Sequence, residues 1–170
     1  VAMQYTTNVR EEAPTFVNCI ATIEGGTHVT GFRAALTRAL NDYSRKKKLI
    51  KDDQGNFAGE DVREGLTSVV SVKMIDPQFE GQTKSKLGNA EVKSIVESIV
   101  AETLTIYLED HPNDARRIVE RCSLAQKARE AARKARELVI RKNALDGSGL
   151  PGKLEDCSEK NAEISEIFIV

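Results

Sequence analysis

The run LTSVVSVKMIDPQFEGQTKSKLGNAEVKSIV, from Leu66 to Val96, carries the reading of the fold, because it joins the most strand-like stretch of the chain to its helical half. Leu66 to Met74 is nearly continuous in small and β-branched residues, which predicts a strand buried on both faces or closely covered by helices. Asp76 to Leu87 is bracketed by a proline and glycines and reads as an exposed loop. At its centre Gln82, Thr83 and Lys84 offer an amide, a hydroxyl and an ammonium, a donor set suited to phosphate oxygens. A solvated polar turn would read the same way on spacing alone. Asn89 then caps a helix whose apolar stripe runs Val92, Ile95, Val96, Ile99, Val100, Leu104 and Leu108, ended by His111-Pro112.

Working towards the N-terminus, EDVREGL predicts a short helical turn stopped at Gly65, preceded by the loop KDDQGNFAGED. Val29 to Lys48 predicts a helix with one buried face at Val29, Phe32, Leu36, Ala39, Leu40 and Tyr43, with Thr27 as its expected N-cap. Arg33, Arg38 and Arg45 fall off that face, and the basic cluster Arg45 to Lys48 suits the helix C-terminus. Val1 to Tyr5 and TFVNCIATI (Thr15 to Ile23) read as two strands of a hairpin-like pair.

Working towards the C-terminus, Pro112 to about Ala144 is the longest helical pattern, with Pro at its first position and Gly147 beyond its end. Ala115, Ile118, Val119, Cys122 and Ala125 share one side. Ala128, Ala131, Ala132, Ala135, Leu138 and Val139 share another, so the helix bends or breaks near Leu124 to Lys127, or its halves meet different partners. The Ala-rich second half should project or pack thinly. DGSGLPGKLEDCSEKNAE reads as a linker, with a domain boundary between Asp146 and Gly152, and ISEIFIV restarts a strand. Both ends look cut, since the chain opens in a strand without Met and closes on an apolar β-branched run.

Composition narrows the function. The 170 residues suit one domain, or one domain and a piece of another, and the absence of Trp makes the core aliphatic. The net charge of −1 hides an uneven distribution: Arg116 to Lys142 holds ten basic and three acidic residues, which leaves the remainder at −8. Such a helix could meet nucleic acid by counterion release, or could be a solvated face paired by Glu120, Glu130 and Glu137. Cys19, Cys122 and Cys157 are odd in number and form no CxxC, which argues against a zinc site and a disulfide framework and for a reducing compartment. No apolar run approaches a membrane span and no signal peptide pattern opens the chain, so a soluble, cytoplasmic protein is expected. His28 beside Gly25-Gly26 and His111 before a proline read as turn or cap residues, and Glu11-Glu12, Asp52-Asp53 and Glu60-Asp61 as solvated or capping charges.

EGGTHVTGFRAALTRALN, EDVREGLTSVVSVK, DPQFEGQTKSKLGNAEVKS, AREAARKARELV and LPGKLEDCSEK together resemble the ATPase subunit of bacterial type II topoisomerases. The likeness is closer to the gyrase B branch than to topoisomerase IV and covers nearly the whole chain. It implies an α+β transducer domain over residues 1–146: a mixed β-sheet backed by helices on one side, an uncommon left-handed βαβ crossover, and a long C-terminal helix. Residues 147–170 would be a linker and the first strand of a magnesium-binding TOPRIM domain, with a GHKL-type ATP-binding domain before Val1. The resemblance further implies that Lys84 contacts the γ-phosphate of ATP, assisted by Gln82 in a Gln82-Thr83-Lys84 motif. Arg33, and with it Arg38, would face a cavity that passes DNA in a homodimer, partnered by the gyrase A subunit. The catalytic base and the Mg2+ would lie outside this chain, which alone would be inactive. Glu155 and Gln126-Lys127 depart from the family's usual residues. The competing reading is a non-enzymatic nucleic-acid-binding scaffold built on the basic helix.

Overall fold

The computed structural model describes residues 1–50, 55–147 and 162–164, with the backbone alone for 141–147 and 162. The chain divides into two compact units, Val1–Arg129 and Glu130–Val170. The first contains strands β1 (Ala2–Tyr5), β2 (Thr15–Val17), β3 (Ile20–Ala21) and β4 (Gly25–Gly26), then helices α1 (Thr27–Lys46) and α2 (Gly59–Arg63). Strands β5 (Leu66–Val72), β6 (Phe79–Glu80) and β7 (Lys86–Leu87) follow, then α3 (Ala90–Asp110). Helix α4 (Pro112–Gly147) begins in the first unit and supplies most of the described part of the second.

β5 organises a four-stranded mixed sheet of order β1-β5-β2-β3. It pairs antiparallel with β1, Ala2 opposite Val69 and Tyr5 opposite Leu66, and parallel with β2, Thr15 opposite Val70 and Val17 opposite Val72. The expected hairpin of the first two strands therefore does not form. β5, the longest β-branched run, lies between them and takes a ladder from each, and residue Glu12 bonds its backbone at Leu66 and Ser68 on the way across. The expected strand Thr15 to Ile23 is also divided. Asn18 and Cys19 both take positive φ, 48° and 67°, the conformation a two-residue hairpin turn requires and Asn tolerates. The Asn18 side chain fixes that turn by accepting from Met74 N at 2.9 Å and donating to Met74 O at 2.7 Å.

Leu66, Ser68 and Val70 of β5 are buried, whereas Val69 and Ser71 are exposed, so the strand alternates instead of being covered on both faces. The covered side meets α1, which in turn packs on α3. On α1 the expected face is buried in full: Val29, Phe32, Leu36, Ala39, Leu40 and Tyr43. Gly31 lets α3 approach its backbone, since a Cβ there would sit 2.4 Å from the Lys93 carbonyl oxygen. On α3, Val92, Val96, Leu104 and Leu108 are buried but Ile95 and Ile99 are more than half exposed. The buried stripe is thus narrower than the sequence pattern: apolar residues occupy more of the α3 circumference than α1 covers.

The expected cap Thr27 is instead the first residue of α1. Gly26 occupies the cap position at φ 134°, with no side-chain cap bond. α4 buries Ala115, Val119, Cys122 and Ala125 as expected, and it continues as one helix through Leu124 to Lys127, which removes the break. Gly147 is its last residue and not the one beyond it. In the second unit every side chain from 131 to 140 is exposed, in keeping with thin packing, and Arg133 pairs with Glu137 at 3.7 Å. The expected Asp146 to Gly152 boundary and Ile164 to Val170 strand fall largely outside the described residues; Ile164 itself closes a 3-10 turn, Ala162–Ile164.

Candidate functional site

The stretch expected to be an open loop contains a small hairpin. β6 and β7 pair antiparallel, Phe79 opposite Leu87 and Glu80 opposite Lys86, leaving Gly81 to Ser85 as a tip. β7 also pairs in parallel with β4, Gly25 opposite Lys86 and Gly26 opposite Leu87, and Glu24 N donates to Ser85 O at 3.0 Å. Only glycine allows this approach: a Cβ on Gly26 would lie 2.4 Å from Leu87 O. Across the hairpin Lys86 Nζ donates to Glu80 at 2.7 Å, and that carboxylate holds the Lys86 pKa above its usual range.

The tip presents the predicted residues. Gln82, Thr83 and Lys84 are all exposed. Thr83 Oγ1 and Ser85 Oγ share a hydrogen bond of 3.1 Å, while the Gln82 and Lys84 side chains make no hydrogen bond or ion pair to the described residues. Lys84 takes φ 53°, a left-handed conformation costly for a residue with a Cβ. An amide, a hydroxyl and an ammonium are donors that phosphate oxygens accept from. These three side chains do not enclose a nucleotide, whose remainder needs walls from elsewhere. Among the described residues, no group of three acidic, His or Cys side chains converges on a point where Mg2+ could sit.

The hairpin base is fastened from α3. Asn89, the N-cap residue, is buried, yet its side chain makes no cap bond to its own helix. Its Oδ1 accepts from Gln78 N at 2.7 Å, and its Nδ2 donates to Asp76 O at 3.4 Å and to Glu91 Oε1 at 2.9 Å. The Asn89 donor holds the Glu91 carboxyl below its usual pKa. The sequence locates the cap and misses this role, because Asn serves as both cap and loop anchor.

Of the two predicted cavity arginines, Arg33 is half-exposed and held by Glu11. Its Nε donates to Glu11 Oε1 at 3.0 Å, and Arg63 Nε donates to the other carboxylate oxygen at 3.1 Å. Glu11 is thus a bridge between α1 and α2 and not a solvated charge. Arg38 lies on the exposed face, 3.8 Å from Asp42. An open depression of about 500 Å³ is lined by Gly25, Thr27, Thr30, Arg33, Glu80 and Lys86, so it brings Arg33 to the hairpin base but not to the Gln82-Lys84 tip.

The other candidate groups are structural. Asp61 is buried, receiving Arg129 Nε at 2.7 Å, Arg129 Nη2 at 2.9 Å and the Ala58 backbone N–H at 2.8 Å. It caps α2, as expected, but is far from solvated. Asp52-Asp53 lies outside the described residues. His28 is fully buried in the first turn of α1, with Nε2 3.2 Å from Thr22 Oγ1, and burial lowers its pKa. It is a core residue and not a turn or cap. His111 ends α3, stacked on Tyr107 at 4.4 Å. Cys19 is exposed; Cys122 is buried, which pushes its thiol up to about 12. Two residues of the basic helix are also committed: Arg129 to Asp61, and Arg121, which donates to Asn8 O at 2.7 Å. No described helix is long and apolar enough to cross a membrane.

With this geometry in place, the comparisons are consistent with one another. Residues 1–138 match the family model described as DNA gyrase B. The whole chain is 53% identical to the DNA gyrase B subunit of Clostridium acetobutylicum and 56% identical to that of Streptococcus pneumoniae, over 27% and 26% of those proteins. It therefore spans about a quarter of the length of these relatives. Among solved structures, the 43K ATPase domain of Thermus thermophilus gyrase B, in complex with an aminocoumarin, matches at 45% identity and TM-score 0.74. That match covers 80% of this chain and 36% of that one. The topoisomerase IV ATP-binding domain of Francisella tularensis, in complex with a small-molecule inhibitor, matches at 35% identity and TM-score 0.67, over 75% and 35%. A mixed sheet around β5 and a family match across four-fifths of the sequence place this chain in the DNA gyrase B family.

Proposed function

We propose that this chain is the transducer domain of the ATPase subunit of a cytoplasmic DNA gyrase, an ATP-dependent type II topoisomerase. It couples ATP binding and hydrolysis in a neighbouring GHKL-type domain to DNA strand passage. The ATPase subunit works as a homodimer with the gyrase A subunit, and Mg2+ is held outside this chain. In this reading residues 1–146 are the transducer, the crossover from β2 through α1 and α2 to β5 is left-handed, and residues 147–170 lead into a TOPRIM domain. The equivalent domain of topoisomerase IV fits less well, since the Streptococcus and Clostridium relatives are both gyrase proteins.

Lys84 is the working group. Its ammonium reaches the γ-phosphate of ATP, where negative charge is redistributed during transfer, and a fixed cation there stabilises the transition state more than the ground state. Gln82 orients the same phosphate through its amide, and Thr83 stiffens the tip through Ser85. When the γ-phosphate leaves, the tip loses its ligand, which is how a loop reports nucleotide state. The observation that supports this reading is a five-residue tip presenting Gln82 and Lys84 without partners among the described residues, on a hairpin fastened on both sides. Arg33 faces the DNA, its guanidinium steadied by Glu11.

In the full-length protein, Lys84→Ala should reduce ATP turnover by a factor of about a hundred or more, the scale of losing one preorganised charge contact. Turnover near the unaltered rate would remove Lys84 from the reaction. Arg33→Gln should weaken DNA-stimulated hydrolysis more than basal hydrolysis.

A further inference from the structure

We infer that Asn89 is the positioning residue for Lys84, acting through the backbone of the hairpin; this rests on the reading of Lys84 as the γ-phosphate contact. A residue at a helix N-cap ordinarily turns its side chain to the first free N–H groups of its own helix. Asn89 does not: all three of its side-chain bonds go elsewhere, two of them to the segment that leads into β6. Its Oδ1 accepts from Gln78 N, and Gly88 N donates to Gln78 O at 2.8 Å, so both backbone groups of Gln78 are held by residues 88 and 89. The amide orientation is unambiguous, because an N–H group can be answered only by the oxygen. Glu91, accepting from Nδ2 at 2.9 Å, fixes the remaining side of the amide.

The consequence is geometric. With Gln78 clamped and the Phe79–Leu87 and Glu80–Lys86 pairs formed, the hairpin emerges from the end of α3 in one direction. Lys84 lies at its tip, and among the described residues its side chain has no hydrogen bond or ion pair to hold it there. A small rotation at the base is therefore enlarged at the ammonium, and displacement by about an ångström can cost a hundredfold in rate. Asn89 is buried, so its bonds to Gln78 and Asp76 compete little with water.

The test is made in the full-length protein with Asn89→Ser. Serine is an equally good N-cap, so α3 still starts, but its hydroxyl is too short to serve Gln78, Asp76 and Glu91 together. ATP turnover should fall about tenfold in kcat with KM changed less than about threefold, as for a group acting on the transition state and not on binding. The melting temperature should stay within a few degrees of the unaltered protein. Asn89→Ser placed on Lys84→Ala should cause no further loss, because both act through one ammonium. Unchanged kcat in Asn89→Ser, while Lys84→Ala is severely impaired, overturns this inference alone. Full activity in Lys84→Ala overturns the loop reading beneath it. A fall in activity that only follows a lowered melting temperature, or an additive loss in the double variant, makes Asn89 structural and also overturns the inference.

Discussion

The base and the tip of the hairpin between Phe79 and Leu87 are a few residues apart and follow opposite rules. At the base every element is spoken for: Gly26 accepts the close approach of Leu87, Lys86 meets Glu80, and Asn89 ties Gln78 and Asp76. At the tip Lys84 stands exposed with a positive φ and no partner among the described residues. The base is what folding selects, since buried polar groups must be paired and apolar surface covered. Among the described residues the tip has no such partner. A strained, unpaired cation on a rigid support is the pattern of a group whose partner arrives from outside.

Substitutions in the Gly26–Leu87 contact at the base should be costly and those at the tip nearly neutral for stability. Leu87 is fully buried, so Leu87→Ala should cost about 3 kcal/mol in urea unfolding through lost transfer energy and cavity formation. Gly26→Ala should cost a similar amount, on the order of 3 kcal/mol, since its Cβ would overlap Leu87 backbone at a φ only glycine adopts easily. A loss under about 1 kcal/mol at either position would mean that the hairpin is not fastened to β4.

His28 sits just past that junction and makes its stability depend on pH. Burial lowers its folded pKa below the ordinary value of 6.5, so the unfolded chain binds the extra proton first. Stability contributed by neutral His28 is therefore complete above about pH 6.5 and falls as the pH drops towards the folded pKa. His28→Gln should flatten the decline in melting temperature across that window. An unaltered decline would show that another group carries it.

The smallest effects belong to the tip. Lys84→Gly should raise stability by up to about 1 kcal/mol by relieving the left-handed backbone, and Lys84→Ala should shift it by less than about 0.5 kcal/mol. A large loss in Lys84→Ala would contradict the separation of base from tip.

What the sequence makes legible follows the range of the interactions. The buried face of α1, the start of α4 and the exposure of Gln82 to Lys84 are written in local spacing and composition, and each is found. The hairpin of the first strands fails because β5 outcompetes a sequence neighbour as a pairing partner, a choice that local pattern does not encode. Ile95 and Ile99 look like core residues of α3 because a helix apolar on much of its circumference has no unique face. Asp61, Glu11 and Asn89 read locally as charges and caps. Their actual partners, Arg129, Arg33 with Arg63, and Gln78, lie 11 to 68 residues away. The motif around Lys84 is recognisable in sequence, but the support that aims it is not.

A lysine that touches the γ-phosphate of ATP loses access to its amine when that phosphate is bound, so the reactivity of Lys84 reports the proposed contact. In the full-length protein, an amine-directed label followed by peptide mass spectrometry should modify Lys84 readily without nucleotide and with ADP. A non-hydrolysable ATP analogue should protect it strongly, while the exposed Lys127 on α4 remains labelled in all three states. Equal labelling of Lys84 with the ATP analogue and with ADP would mean that Lys84 does not touch the γ-phosphate.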